Sequence, residues 1–417
     1  MRGAQGASGS VDLLPPAAAR RRALVDALLE TFAVWGFRQV VTPTVERYEV
    51  LAAGLSAADQ EHVVRFVTGA GSLVALRSDV TPQIARMVAQ HRGTTWPADA
   101  VLRLSYTADV VRQPAGARER AEQHQVGVEF VGDASPAADA ELVALAHAAL
   151  GRVGLTGFRF DLSHGGIAHG ALDALGLEVR ERDVARGLLA RKDRAGLQRY
   201  LVGLGIEASR AEGVASLCDA YGRPEVIEGV RGIDGVQGVD TLEAIADHLR
   251  AVHPDAADVL DVDLGEVRGF DYYTGARLRV WSPEVSVPVL RGGRYDDLVG
   301  RFGTKAPATG FAIDLDTLEE ALGQRGPQPG GRTGRLVALH PDCDAQARIE
   351  ASRRAAAARG AEEPAWVQES LTLAQAKVVA LDAGAGALTY LQPGESGDMT
   401  VLRFRQDRVN RAQWTAE

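Results

Sequence analysis

Apolar positions in the first third of the chain follow two different periods. Leu24, Leu28, Phe32 and Trp35 recur at i, i+4, i+8 and i+11, the stripe of a helix with one buried face. Pro15-Pro16 stands at its start, where a missing N–H costs nothing, and Gly36 is placed to end it. From Phe37 to Val45 the pattern changes to that of a strand, with Pro43 marking an edge or interface position. Residues 101–113 and 122–131 read as two strands of an antiparallel hairpin around a Pro114–Arg120 loop. Ser135-Pro136 opens a helix to about Leu150, and Phe158–Leu162 is a strand. Between about 171 and 255 the pattern is helical with solvated faces; strands return over 259–291, and Gly292 to Gly303 reads as a helix flanked by glycines.

A Gly/Pro-rich stretch, GQRGPQPGGRTG over 323–334, has nothing to bury and reads as a linker. It divides a 1–10 tail and an 11–322 core, carrying the helical 171–255 insertion, from a small α/β domain at 335–417. That last domain would be built from the strands LVALH, ALTYL and TVLRF with helices near 345–359 and 373–382. At 417 residues and 46% apolar composition, the chain can bury more than one core.

Charge and cysteine content narrow the classes. A net charge of −9 gives no support for a general nucleic-acid binder. Two distant cysteines, Cys218 and Cys343, imply neither a disulfide scaffold nor a zinc site and fit a reducing, cytoplasmic setting. No apolar run suits a signal peptide or a membrane span. There is no HExxH, no phosphate loop GxxxxGK[ST], no GxSxG elbow and no strand followed by GxGxxG, so no metal or dinucleotide cofactor is expected.

Three polar clusters remain. In EQHQVGVEFV, strand alternation sends His124, Val126, Val128 and Phe130 to one face and Gln123, Gln125, Gly127 and Glu129 to the other. There Gly127 would leave space for a ligand, and the Glu129 carboxylate suits an ammonium; an exposed sheet face is the plainer reading. In LRSDVTP, Arg77, Asp79 and Thr81 share a side just before a helix, where Asp79 or Thr81 could serve only as its cap. In VRGFDYYTG, Arg268, Tyr272 and Tyr273 sit between glycines in a tight loop, or in a turn with core aromatics. Together the clusters point to a pocket for a small zwitterion.

These segments, in this order, resemble the class II aminoacyl-tRNA synthetase core, and specifically its histidyl branch, over about residues 11–322. The strand before Pro43 resembles the dimer-forming first motif, and Arg77–Thr81 the branch's Arg-Pro-Glu-Gly-Thr stretch. Arg103–Glu129 resembles the second motif, Arg268–Gly275 the histidine-recognition loop, and Arg291–Leu318, with GGRYDDLV, the third motif. The resemblance implies an α+β fold, an antiparallel sheet flanked by helices, in a dimer, with a site for L-histidine. By position, Asp79, Thr81, Gln125 and Glu129 would meet the ligand's amino group, Arg268 its carboxylate and Tyr273 its ring, with Arg112 and Tyr272 in the same site. Asp79 replaces the family's longer glutamate.

The chain departs from active synthetases where a triphosphate would sit. There, a terminal Gly-Leu-Glu-Arg supplies an arginine to the ATP γ-phosphate; here the glycine is Asp314 and the arginine Thr317, with no Arg or Lys before Arg325. Arg112 persists, but the glutamate that faces adenine falls at Pro114. A carboxylate about 5 Å from a phosphate charge costs on the order of 3 kcal/mol at an effective dielectric near 20, and threonine cannot replace a bidentate guanidinium. This combination resembles the regulatory subunits of ATP phosphoribosyltransferase, as do LLARKDRAGLQRYL and the RGFDYYTG form of the loop. That resemblance implies a non-catalytic protein that joins a short-form catalytic subunit in a hetero-oligomer and confers feedback inhibition by histidine. The alternatives are a divergent histidyl-tRNA synthetase and a free-standing histidine sensor or amide-forming enzyme. Residues 332–417 carry eleven Lys+Arg and eleven Asp+Glu, a net of zero that makes tRNA binding an unfavoured expectation.

Overall fold

The structure is a computed structural model that describes residues 9–113, 120–267, 272–323, 325–327, 334–394, 399–406 and 414–416. The tail's residues 1–8 and most of the 323–334 stretch lie outside them. Contacts divide the chain into a unit ending at Gln328 and a second from Pro329.

The first unit is organised by a nine-stranded sheet, counted among the described residues. Its order is Arg38–Gln39, Leu102–Val111, Glu122–Val131, Ala308–Asp314, Leu290–Arg294, Ala276–Trp281, Arg159–His164, Leu260–Asp263 and Tyr221–Gly222. Its central pairings are antiparallel; Arg38–Gln39 joins parallel to Leu102–Val111, and Leu260–Asp263 parallel to Arg159–His164 and antiparallel to Tyr221–Gly222. The alternation read in the hairpin decides how the sheet is covered. Val126, Val128 and Phe130 pack with Leu24, Leu28 and Phe32 of the Ala17–Val34 helix and with the Pro136–Arg152 helix, while Trp35 lies at the margin of this core. Phe32 meets Phe311 edge-on at 5.8 Å. Gly36, at φ 84°, leaves the helix in the left-handed region. The helical 171–255 region resolves into the helices Val179–Ala190, Arg194–Gly203, Ala208–Ser216 and Val239–Val252, with the strand Tyr221–Gly222 and a 3-10 segment, Pro224–Val230, between the last two.

Two expectations are corrected. The Phe37–Val45 strand is split into Arg38–Gln39 and Val45–Arg47, the latter in a separate small sheet with Leu73–Leu76 and Arg65–Val67. Pro43 lies between the pieces and has no N–H to continue a ladder; its carbonyl instead accepts from Gln83 at 2.9 Å. The Gly292–Gly303 helix is instead the strand Leu290–Arg294, a turn and a short 3-10 segment, Val299–Phe302. Gly292 lies so near the Gly310 carbonyl, 2.3 Å from an added Cβ, that the glycine marks a strand crossing and not a helix end.

The second unit is an α/β layer. Ala365–Gln368, Gly334–Leu339 and Ala385–Pro393 run parallel, and Met399–Gln406 and Trp414–Ala416 extend the sheet antiparallel. The helices Ala345–Gly360 and Leu373–Asp382 bury alanine stripes against it. Sequence reading missed Ala365–Gln368 and Trp414–Ala416, both too short to show a period. Among the described residues no helix is long and apolar enough to cross a membrane.

Candidate functional site

One face of the large sheet is core; the other floors a polar cleft of about 570 Å³, including its solvent-open part. Register explains the floor. Glu129 lies opposite Gly310, which lies opposite Gly293; one step outward, Gly127, Ala312 and Arg291 align; next come Gln125 and Asp314. Small residues in the middle thus leave charged ones at both ends.

The inner end is built around two buried carboxyls. The Thr81 hydroxyl donates to Glu129 Oε1 at 2.6 Å, and the Tyr295 phenol donates to Glu129 Oε2. Asp79 accepts from the Thr81 N–H at 3.0 Å and from the Tyr272 phenol at 3.3 Å. Asp79 thus accepts from the first N–H of the Thr81–His91 helix, whose N-cap position is Val80 with no side-chain cap, while its second oxygen accepts from Tyr272 in the cleft wall. Gly310 is required here: a Cβ would come within 1.8 Å of Glu129 Oε2.

Burial without a cationic partner pushes the Glu129 carboxyl up to about 8, although Thr81 and Tyr295 pull it down and Asp79 adds to the rise. Burial likewise raises Asp79, opposed by the Arg112 guanidinium. The phenols of Tyr106, Tyr272 and Tyr295 are pushed well above their ordinary value by burial and by these carboxyls, so all remain donors. Two buried carboxyls side by side, both pushed up by burial, form a place where a cationic group of a ligand could be received.

Aromatic rings close the walls. Tyr272 and Tyr273 lie 4.7 Å apart, Tyr295 meets Tyr272 edge-on at 5.9 Å, and the Arg277 guanidinium sits 5.9 Å over Tyr273. Arg112 lines the cleft, its Nε donating to the Ser78 carbonyl at 2.9 Å. The structure thus brings Asp79, Thr81, Arg112, Gln125, Glu129, Tyr272 and Tyr273 to one cleft; Arg268 lies outside the described residues. Arg77 does not join them: it is buried and donates to the Asp109 and Thr42 carbonyls at 2.6 and 3.1 Å. Gly127 has a different role from the one expected. Its missing Cβ makes way for Tyr106, whose ring would be 2.5 Å away, and not for a ligand.

Sequence reading missed Arg291 and Tyr295 as site residues. The signal for Arg291 was present in the LRGGR alternation, once that segment is taken as a strand.

At the outer end, Asp314 caps its own helix, Leu315–Leu322, accepting from the Thr317 N–H at 2.8 Å. Asp316, nearly buried, is bound by Arg21 at 2.5 Å and by Arg120, and Arg21 also binds Glu319. Cations are therefore present near the Asp-rich turn, but they come from distant segments and are spent on its carboxylates. The helix end that would face a phosphate is occupied by the chain's own side chain.

Fold and cleft together define a protein of the class II aminoacyl-tRNA synthetase type, histidyl branch. The Histidyl-tRNA synthetase family model matches residues 9–318. Over 322 residues the chain is 38% identical to the ATP phosphoribosyltransferase regulatory subunit of Desulfitobacterium hafniense, covering 75% of this chain and 81% of that one. The regulatory subunit of Moorella thermoacetica is 36% identical over 326 residues, 77% and 82% of the two chains. A solved Bacillus halodurans structure, described as an ATP phosphoribosyltransferase regulatory subunit/histidyl-tRNA synthetase, superposes with a TM-score of 0.78 at 29% identity, covering 94% of this chain and 98% of that one. The chain belongs to the family of ATP phosphoribosyltransferase regulatory subunits.

Proposed function

We propose that this chain is the non-catalytic subunit of an ATP phosphoribosyltransferase, at the first step of histidine biosynthesis in the cytoplasm. It assembles, as a homodimer within a hetero-oligomer, with a short catalytic subunit, supports that subunit's activity, and makes it sensitive to L-histidine. The observation that carries the reading is the asymmetry of the cleft. Its inner end keeps hydroxyls and carboxyls arranged for an amino acid, while its outer end has Asp314 and Thr317 where a triphosphate needs cations. Feedback requires only that histidine bind one quaternary state better than another and that the favoured state be the less active; a coupling of about 1–3 kcal/mol gives useful inhibition.

The test is reconstitution. The purified chain with histidine and ATP shows no pyrophosphate exchange. Added to a short phosphoribosyltransferase of the same organism, it raises activity, and histidine then lowers it. Histidine-dependent exchange by the chain alone would restore the synthetase reading; activity indifferent to the chain would remove the regulatory one.

A further inference from the structure

The cleft face of the sheet carries a transverse row of charges with one member left over. Across neighbouring strands, Asp261 stands beside Asp161, Asp161 beside Arg279, Arg279 beside Arg291, and Arg291 beside Ala312, with Gly127 beyond. Asp261 is paired with Arg159, and Arg279 with the buried Glu266; Asp161 accepts from the Tyr221 phenol at 3.2 Å. Arg291 ends the row. Among the described residues its side chain forms no hydrogen bond or ion pair. It stands directly opposite a like charge, which costs stability in a sheet. On its other side the small Ala312 keeps the floor beside it open, and both line the cleft.

Other cations described at the cleft are engaged. Arg112 is bound to Ser78 and offsets Asp79, and Arg277 lies against Tyr273. Arg291 is exposed, so its guanidinium is open to solvent and to a ligand; the neighbouring Asp314 attracts it, while Arg279 and Arg112 repel it. An anion at this place would offset the repulsion from Arg279 and Arg112. Its distance from the ammonium-binding end is also suitable. Arg291 is two residues along its strand from the Gly293–Gly310–Glu129 row, about 7 Å, and two strands, about 10 Å, to the side of Glu129. Two long side chains leaning into that gap leave an α-amino acid between them.

We propose that Arg291 binds the carboxylate of the cleft's amino-acid ligand, and so makes the site select a free amino acid over the amine or alcohol with the same side chain. The inference rests on the histidine reading above and assigns the carboxylate a partner in addition to the position given to Arg268. It gives the regulation a chemical logic: an end product with a free carboxylate is sensed, and its reduced relatives are not.

Calorimetric titration of the full chain with L-histidine, L-histidinol and histamine tests it. The unsubstituted protein binds histidine at least about 30-fold more tightly than the other two, the scale of a charged hydrogen-bonded pair. Arg291→Ala loses about that factor for histidine and changes histidinol binding little, and Arg291→Lys recovers part of it. Should Arg291→Ala melt early, Arg291→Gln carries the same comparison. Histidine binding unchanged in the variant, or equal losses for all three ligands, overturns the assignment alone. An unsubstituted chain that binds no histidine overturns the histidine reading, and this assignment with it.

Discussion

Replacing Glu129 by glutamine lowers histidine affinity by about 10- to 100-fold, the scale of a charge-assisted contact in a buried site. It also removes a proton from the binding reaction. In the unliganded cleft Glu129 is held near 8 by burial, so at pH 7 it is largely protonated. An ammonium ligand demands the carboxylate, whose two oxygens already accept from Thr81 and Tyr295. Binding at pH 7 therefore releases close to one proton per site, and affinity rises about fivefold from pH 7 to pH 8. Titration in two buffers of different ionisation enthalpy reads the proton directly, and in Glu129→Gln it disappears. Stability of the empty protein runs the other way. The folded value, about 8, lies above the ordinary 4.5, so this group's stabilising contribution is full below pH 4.5 and is lost as pH rises through 8. The swing is on the order of 3–5 kcal/mol, and the glutamine variant lacks it. Proton-free binding at pH 7, or a variant with undiminished affinity, would refute the assignment of Glu129 to the ligand's amino group.

What the sequence made legible was period and order. The Leu24–Trp35 stripe, the 122–131 alternation and the Pro136 helix start are local patterns, and the chain folds as they read. Glu129 and Gln125 could be placed on one face because a strand's period is two. What could not be read was the neighbour across the sheet. Gly127 makes way for Tyr106 only because register sets them opposite each other. The Asp-rich turn looked bare of cations because Arg21 lies 295 positions from Asp316, a distance no window of sequence spans. The 290–294 strand was misread for a related reason. A strand hydrogen-bonded on both sides can carry Arg-Gly-Gly-Arg when its polar groups find partners in other elements, and its apolar fraction then says little.

Asp139→Ala is expected to destabilise the protein by about 2–3 kcal/mol, the cost of taking the better buried of two carboxylate partners from a buried guanidinium. Arg294, one residue before Tyr295, is 5% exposed; its Nε donates to Asp139 Oδ2 at 2.9 Å, and its other donors reach Asp296 Oδ1 at 3.2 Å and the Asp133 and Ser135 carbonyls at 3.0 and 3.2 Å. Burial pushes the Asp139 carboxyl up against the pull of Arg294, so the pair persists because both charges are matched and not because either is at ease. Removing Asp139 leaves Arg294 only the more exposed carboxylate of Asp296; removing both, in Asp139→Leu with Arg294→Met, leaves apolar groups of similar volume and recovers much of the loss. The same pair ties the strand to the start of the Pro136–Arg152 helix, and that tie aims Tyr295 at Glu129. Asp139→Ala therefore weakens histidine binding as well as lowering the melting midpoint, while the double variant restores the midpoint more fully than the binding. Chemical denaturation gives the first quantity and calorimetry the second. A single variant that loses less than about 1 kcal/mol would show that the guanidinium finds water or another acceptor, and the pair would then have no part in placing the site.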